Sequence, residues 1–220
     1  MKTLYLVRHG KAAVGDSSEP DFDRTLMERG ENDMDRVGNW LKELGVKPSL
    51  LVSSPAPRAL DSAKIIARHL GYRIKSIRTR KSLYDQIEQA VLDVVHGIDD
   101  NHGTVMIFGH NPLFSDAARF FTEDLKEDLP TGGIVGIRFE VDRWRDVRGG
   151  IGRIVHRIFP KEIGKKIPRK TRERELEMKI RDKIGETLEG DIPEGIQKIV
   201  RKTSKELARK IVAKTKRKRQ

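Results

Sequence analysis

The sequence contains no cysteine. Disulfides, thiolate metal sites and a cysteine nucleophile are therefore excluded. No apolar run approaches the roughly 20 residues that a bilayer-spanning helix needs. The segment Met1 to Val7 is too short to be the apolar stretch of a signal peptide, and charge follows it at once. A cytoplasmic protein with no transmembrane segment is expected. Residues 164–220 hold no Phe, Tyr or Trp, which removes the side chains that stack on nucleobases. No acidic cluster with metal-ligand spacing occurs at the predicted strand ends, so no metal or other cofactor is expected.

What is present is charge, at 35% of the 220 residues, with a net of +12. Residues 164–220 contain 20 basic and 9 acidic residues, and residues 1–163 contain 25 and 24. The imbalance thus sits in the last quarter, and the shift suggests two parts, 1–163 and 164–220. Thirty-six per cent hydrophobic residues suffice for an α/β domain with an appendage.

The first part alternates short apolar runs with amphipathic segments. Strands are expected at Thr3–Val7, Leu50–Ser53, Arg73–Ile77, Thr104–Phe108, Ile134–Val141 and Arg153–Phe159. Helices are expected at Leu26–Leu44, Pro57–Leu70, Gln86–Ile98 and Pro112–Phe121. Alternation of this kind predicts a three-layer α/β/α fold with a mainly parallel sheet. The last two strands have no helix between them and should pair antiparallel. In the tail, Leu176, Ile180, Ile184 and Leu188 make one apolar stripe over Thr171–Leu188. Ile196, Ile199, Val200, Leu207 and Ile211 make a second over Pro193–Val212. With the turn Glu189–Pro193 between them, they predict a basic helical hairpin, frayed at Lys214–Arg219. Its stripes invite self-association or docking, and its lysines invite a polyanion.

Arg8 and His9 follow the first strand, and His110 and Asn111 follow the Val105–Phe108 run. In Ser53-Ser-Pro-Ala-Pro-Arg58, an arginine enters a helix after the second strand. Ligands in open α/β sheets gather at such strand ends. Arginine holds a phosphoryl dianion with forked, permanently charged donors. A neutral histidine can attack phosphorus, and a protonated one can stabilise the charge in transit. The Asn111 N–H opens a helix, where anions are favoured.

Arg8-His9-Gly10, Ser54-Pro55 with Arg58-Ala59, and Gly109-His110 together resemble the histidine phosphatase, or phosphoglycerate mutase-like, superfamily. Arg24-Thr-Leu-Met-Glu-Arg-Gly30, Ser82-Leu-Tyr-Asp85, His110-Asn-Pro112 and Pro130-Thr-Gly132 look most like its SixA-type phosphohistidine phosphatases. The resemblance covers residues 1 to about 160. It implies metal-independent hydrolysis of a phosphomonoester or phosphoramidate. His9 would be the nucleophile, with Arg8, Arg58 and His110 as the phosphate pocket and Asn111 beside them. Asp85, or Glu88 after it, would be the proton donor, although Asp85 equally suits an N-cap of the following helix. Protein phosphohistidine is the implied substrate. A small-molecule phosphomonoesterase acting on a sugar phosphate or nucleotide, and a non-catalytic polyanion-binding module, are the alternatives. His69, His96, His102 and His156 have no second member of a constellation and should be structural or at the surface. Trp40 belongs to a helix face, and Trp144 sits in a charged loop.

Overall fold

Short apolar runs make the centre of one sheet, because each can bury both of its faces only between helices. The computed structural model describes residues 1–13, 20–163, Ile180, Ile184 and Glu194–Arg217. The strands are β1 (Lys2–Arg8), β2 (Leu50–Ser53), β3 (Arg78–Thr79), β4 (Thr104–Gly109), β5 (Ile134–Phe139) and β6 (Arg153–Ile158). Their order is β3-β2-β4-β1-β5-β6. Strands β1 to β4 pair in parallel, whereas β5 runs antiparallel to β1, and β6 to β5. Register sets up the site: Arg8 lies opposite Gly109, and Ser53 opposite Phe108. Three parallel strands therefore end level with one another, and the next residue of each is His9, Ser54 or His110.

Helices α1 (Glu28–Glu43) and α2 (Pro57–Leu70) cover one face of the sheet. Met34, Val37 and Leu41 of α1 and Ala63, Ile66 and Ala67 of α2 pack there with Tyr5 and Val7 of β1. The alternate residues Leu4 and Leu6 pack on the other face against α3 (Ala90–His96) and α4 (Leu113–Phe121). Val91, Val95, Phe114 and Phe121 are among the buried residues of those helices. Pro57 opens α2, where its missing N–H costs nothing, and Gly71 ends it at φ 66°.

Several expectations are corrected. Arg73–Ile77 is not a strand: Ile74–Ser76 form a 3-10 turn, and the strand is the two-residue β3 after it. The helix expected from Gln86 begins at Ala90. Gln86 has φ 53°, in the left-handed region, which interrupts right-handed helix there. Gln89 precedes that helix, so Asp85 is not its N-cap. Trp144, for all its charged neighbours, is fully buried and donates its indole N–H to His102 O at 2.7 Å.

The chain divides into two units, 1–163 and 164–220. The first helix of the expected hairpin and its turn fall outside the described residues, except Ile180 and Ile184, which are helical. The second is α5, Glu194–Arg217, which stays helical through Lys214–Arg217 of the stretch expected to fray. No helix among the described residues is long and apolar enough to cross a membrane.

Candidate active site

The level strand ends open into a cavity of about 270 Å³. Arg8, His9, Arg58, His110 and Asn111, taken from three separate segments of sequence, all line it. Asp85 and Glu88 do not: both are exposed, and Gln86 between them faces the cavity instead.

His9 is fixed through its backbone. Its N–H extends the β1–β4 ladder to Gly109 O at 3.0 Å, and its carbonyl accepts Gly132 N–H at 2.8 Å. The next residue must pass α1 closely. A Cβ on Gly10 would lie 2.8 Å from Gly30 O, and one on Gly30 only 2.1 Å from Lys11 O. Two glycines facing each other permit this approach. Gly10 N–H donates to Ser62 Oγ at 3.0 Å, and Ser62 O–H donates in turn to Arg58 O at 2.7 Å. One buried hydroxyl thus ties the His9 loop to the first turn of α2, which carries Arg58.

The His9 ring stands with Nδ1 2.7 Å from Gly10 O. A carbonyl only accepts, so Nδ1 carries the proton and Nε2 keeps its lone pair. The His110 ring is 5.0 Å away, centroid to centroid, at 55°. His110 is 4% exposed, and its Nε2 meets Ser54 Oγ at 2.9 Å. Ser54 Oγ also accepts Ala56 N–H at 3.3 Å.

Both imidazoles lose basicity here. Burial, then the field of Arg58, Arg8 and Arg24, lowers the His9 pKa to about 4, although its bond to Gly10 O works in the opposite direction. Burial, then His9 and Arg58, lowers His110 to about 3. In the protein alone His110 is therefore neutral at pH 7. A phosphoryl dianion would raise both values by attraction.

Arg8 donates Nη1–H to Leu129 O at 2.7 Å, and burial lowers its pKa against the pull of Asp128. Asn111 donates Nδ2–H to the same carbonyl at 3.1 Å. Arg58 is 4% exposed and salt-bridged: Nη2 donates to Asp21 Oδ2 at 2.7 Å, and Nη1 donates to Asp21 O. The Asp21 carboxylate also accepts Arg24 Nη1–H at 2.7 Å and Tyr84 O–H at 3.3 Å. Arg24, then Arg58, holds Asp21 below the usual carboxylate range against the opposing effect of burial. Asp21 is the one carboxylate lining the cavity among the described residues; Arg8, Lys11, Arg24 and Arg58 line it as cations. The site is thus built for an anion.

Sequence reasoning missed Asp21, Arg24, Lys11, Ser62 and Tyr84 as neighbours of the site. Arg24 lay within a segment already singled out, but nothing in Pro20–Asp23 signalled a cavity-lining carboxylate. Three further histidines make structural contacts away from the cavity. His69 pairs with Asp35 at 2.7 Å, His96 bonds Val147 O at 2.8 Å, and His156 meets Tyr5 Oη at 2.7 Å. Among the described residues, no group of three His, Asp or Glu side chains could hold a metal ion.

Comparison with known proteins bears on the fold and on the first part of the chain. Residues 4–86 match the model of the histidine phosphatase superfamily, branch 1. An uncharacterized protein of Mycobacterium tuberculosis, Rv1276c, is 29% identical over 161 residues, covering 68% of this chain and 96% of that protein. The SixA protein of Agrobacterium tumefaciens superposes with a TM-score of 0.62 at 22% identity, over 71% of this chain and 97% of that one. The protein histidine phosphatase SixA, solved with tungstate, gives 0.59 at 18% identity, over 73% and 98%. Residues 4–86, which include the strand ends that carry His9 and Arg58, are thus similar to the histidine phosphatase superfamily, branch 1, and the fold is that of the two SixA structures.

Proposed function

We propose that the protein is a phosphatase that takes a phosphoryl group onto His9 and passes it to water, with protein-borne phosphohistidine as its substrate. The observation that carries the reading is the 2.7 Å contact of His9 Nδ1 with Gly10 O, which leaves Nε2 as a nucleophile beside two arginines and a second imidazole. In the first step Nε2 bonds to phosphorus as the bond to the leaving group breaks. Arg8 and Arg58 hold the non-bridging oxygens, and Arg58 shares itself between Asp21 and the phosphoryl group. In the second step water attacks phospho-His9 and the P–N bond breaks. Phosphate leaves, and His9 returns neutral.

The choice of substrate rests on proton supply and space. The carboxylate in the cavity, Asp21, is more acidic than usual and a poor proton donor. For Asp85 or Glu88 to act as the acid, the exposed 84–89 turn would have to bring it into the cavity. An alkoxide leaving group needs such a donor, whereas an imidazole, with a pKa of about 6.5, leaves without a strong one. A cavity of about 270 Å³ takes a phosphoryl group and an imidazole, but little more of a nucleotide. One neighbour of the same fold is a protein histidine phosphatase, and its substrate class is carried over here as part of the proposal.

The test compares a phosphohistidine peptide, an aryl phosphate and an alkyl phosphate as substrates, in chelator, for the wild type and His9→Ala. The expected result is hydrolysis of the first two, at least tenfold faster kcat/KM for the phosphoramidate than for the alkyl ester, and loss of all activity in His9→Ala. Undiminished activity in His9→Ala, or preference for the alkyl ester, contradicts the proposal. Anion binding with no turnover of any of the three favours a non-catalytic binding module.

A further inference from the structure

From Arg68 to Tyr84 the chain carries six cations, Arg68, Arg73, Lys75, Arg78, Arg80 and Lys81, and no Asp or Glu. All six are exposed. Among the described residues none of them takes part in an ion pair. Arg145, Arg148 and Arg153 of the same unit are also exposed without an ion pair, but they alternate with paired residues instead of forming a strip, and other surface arginines are neutralised. Arg36, Arg119, Arg143 and Arg157 each hold a carboxylate at 3.2 Å or less. A strip of like charge without internal counter-ions repels itself and generates a positive field outside the protein.

The strip has a direction. It starts at the last turn of α2, passes the Ile74–Ser76 turn, and follows β3, the outermost strand of the sheet. Arg80 N–H still bonds Ser53 O at 2.9 Å, at the strand end that leads into the site. The strip ends at the Lys81–Leu83 turn, and the next residue, Tyr84, donates its O–H to Asp21 of the cavity lining at 3.3 Å. Its ring lies 5.7 Å from that of His110, and the Arg58 guanidinium lies 5.9 Å from its centroid. The positive strip is therefore continuous with the place where the phosphoryl group would sit.

Cations outside the cavity cannot contact a substrate that fits within it. By contact they can act only on one that extends along the surface. We infer that the exposed basic strip from Arg68 to Lys81 is a docking surface for acidic residues flanking the phosphorylated residue of a protein substrate. This rests on the phosphatase reading and specifies its substrate. A nucleic acid fits less well. Tyr72, the aromatic residue within the strip, is part-buried and commits its O–H to Ser76 O at 3.2 Å, so it offers no open stacking platform.

The test uses the full chain and two synthetic peptides, each with one phosphohistidine, flanked in one by Asp and Glu and in the other by Ser. The wild type is compared with the triple variant Arg73→Glu, Lys75→Glu, Arg78→Glu, which touches no cavity residue. Expected for the wild type is about tenfold higher kcat/KM for the acidic peptide at low salt, shrinking as salt screens the charges. The triple variant should lose that preference and keep its aryl phosphatase activity. Fluorescence anisotropy of the same peptides without phosphate reads docking apart from chemistry. Acidic-peptide binding that needs the strip, with no hydrolysis, overturns the phosphatase reading and leaves the docking surface standing. Equal handling of both peptides by the wild type, or a preference that survives in the triple variant, overturns the docking surface. So does strip-dependent binding of homopolymeric single-stranded DNA without strip-dependent peptide preference, which would assign the strip to nucleic acid.

Discussion

Acidification probes the electrostatics of this site directly, because the account requires His9 to stay neutral where an ordinary histidine does not. Burial is the larger cause of its low pKa, and Arg58, Arg8 and Arg24 add to it. With a pKa of about 4, His9 at pH 5.5 is neutral in roughly 97% of molecules. An imidazole at the ordinary value of about 6.5 would be neutral in only about 9%. The nucleophilic form thus differs about tenfold between the two cases. The assay is an NMR titration of ring-labelled protein, with the His9 resonance identified by its loss in His9→Gln. The expected result is a flat shift from pH 8 to 5 and a midpoint near 4. A midpoint between 6 and 7 would refute the argument that burial and cations suppress the charge. Stability must follow the same linkage. The folded pKa lies below the unfolded one, so the stabilisation is fully present above about pH 6.5 and is lost as pH falls from there toward 4. A shift of this size corresponds to on the order of 3 kcal/mol for His9 at full protonation. Urea unfolding should show His9→Gln losing less stability than the wild type across that window.

Three substitutions test the scaffold around the nucleophile. Gly30→Ala puts a Cβ 2.1 Å from Lys11 O, against backbone that cannot yield, so thermal unfolding should drop by on the order of 10 °C and kcat should fall with it. Ser62→Ala leaves Gly10 N–H buried without its partner and should cost about 1–3 kcal/mol in chemical denaturation. Asp21→Asn removes the carboxylate that competes for Arg58 and Arg24. It should tighten inhibition by inorganic phosphate about five- to twelvefold, as expected when a charge-assisted competitor of about 1–1.5 kcal/mol is lost. Weaker phosphate inhibition in that variant would show that Asp21 orders the site rather than blocking it.

Legibility in the sequence followed the physics of each element. Leu50–Ser53 and Pro57–Leu70 were readable to the residue, because a short apolar run and a helix opened by proline and closed by glycine carry their own boundaries. The strand at Arg73–Ile77 was misplaced because alternating Ile and basic residues also suit a 3-10 turn beside a two-residue strand. Nothing in periodicity names a strand's partner, so the antiparallel place of β5 beside β1 had to come from the structure. His9, Arg58 and His110 were findable since each follows a parallel strand, and parallel ends lie level by register. Asp21 and Arg24 were not. They come from an irregular segment between β1 and α1, delivered by tertiary packing that leaves no periodic trace.

The central claim is that one nitrogen, Nε2 of His9, carries the phosphoryl group during turnover. It is tested by mixing the full chain with a radiolabelled phosphohistidine peptide and quenching within milliseconds in alkaline denaturant, where phosphohistidine persists. The labelled residue is then mapped by mass spectrometry. The account predicts label on His9 alone, formed and discharged at rates that match kcat. Label on another residue, or steady hydrolysis with no labelled intermediate at any quench time, would contradict it.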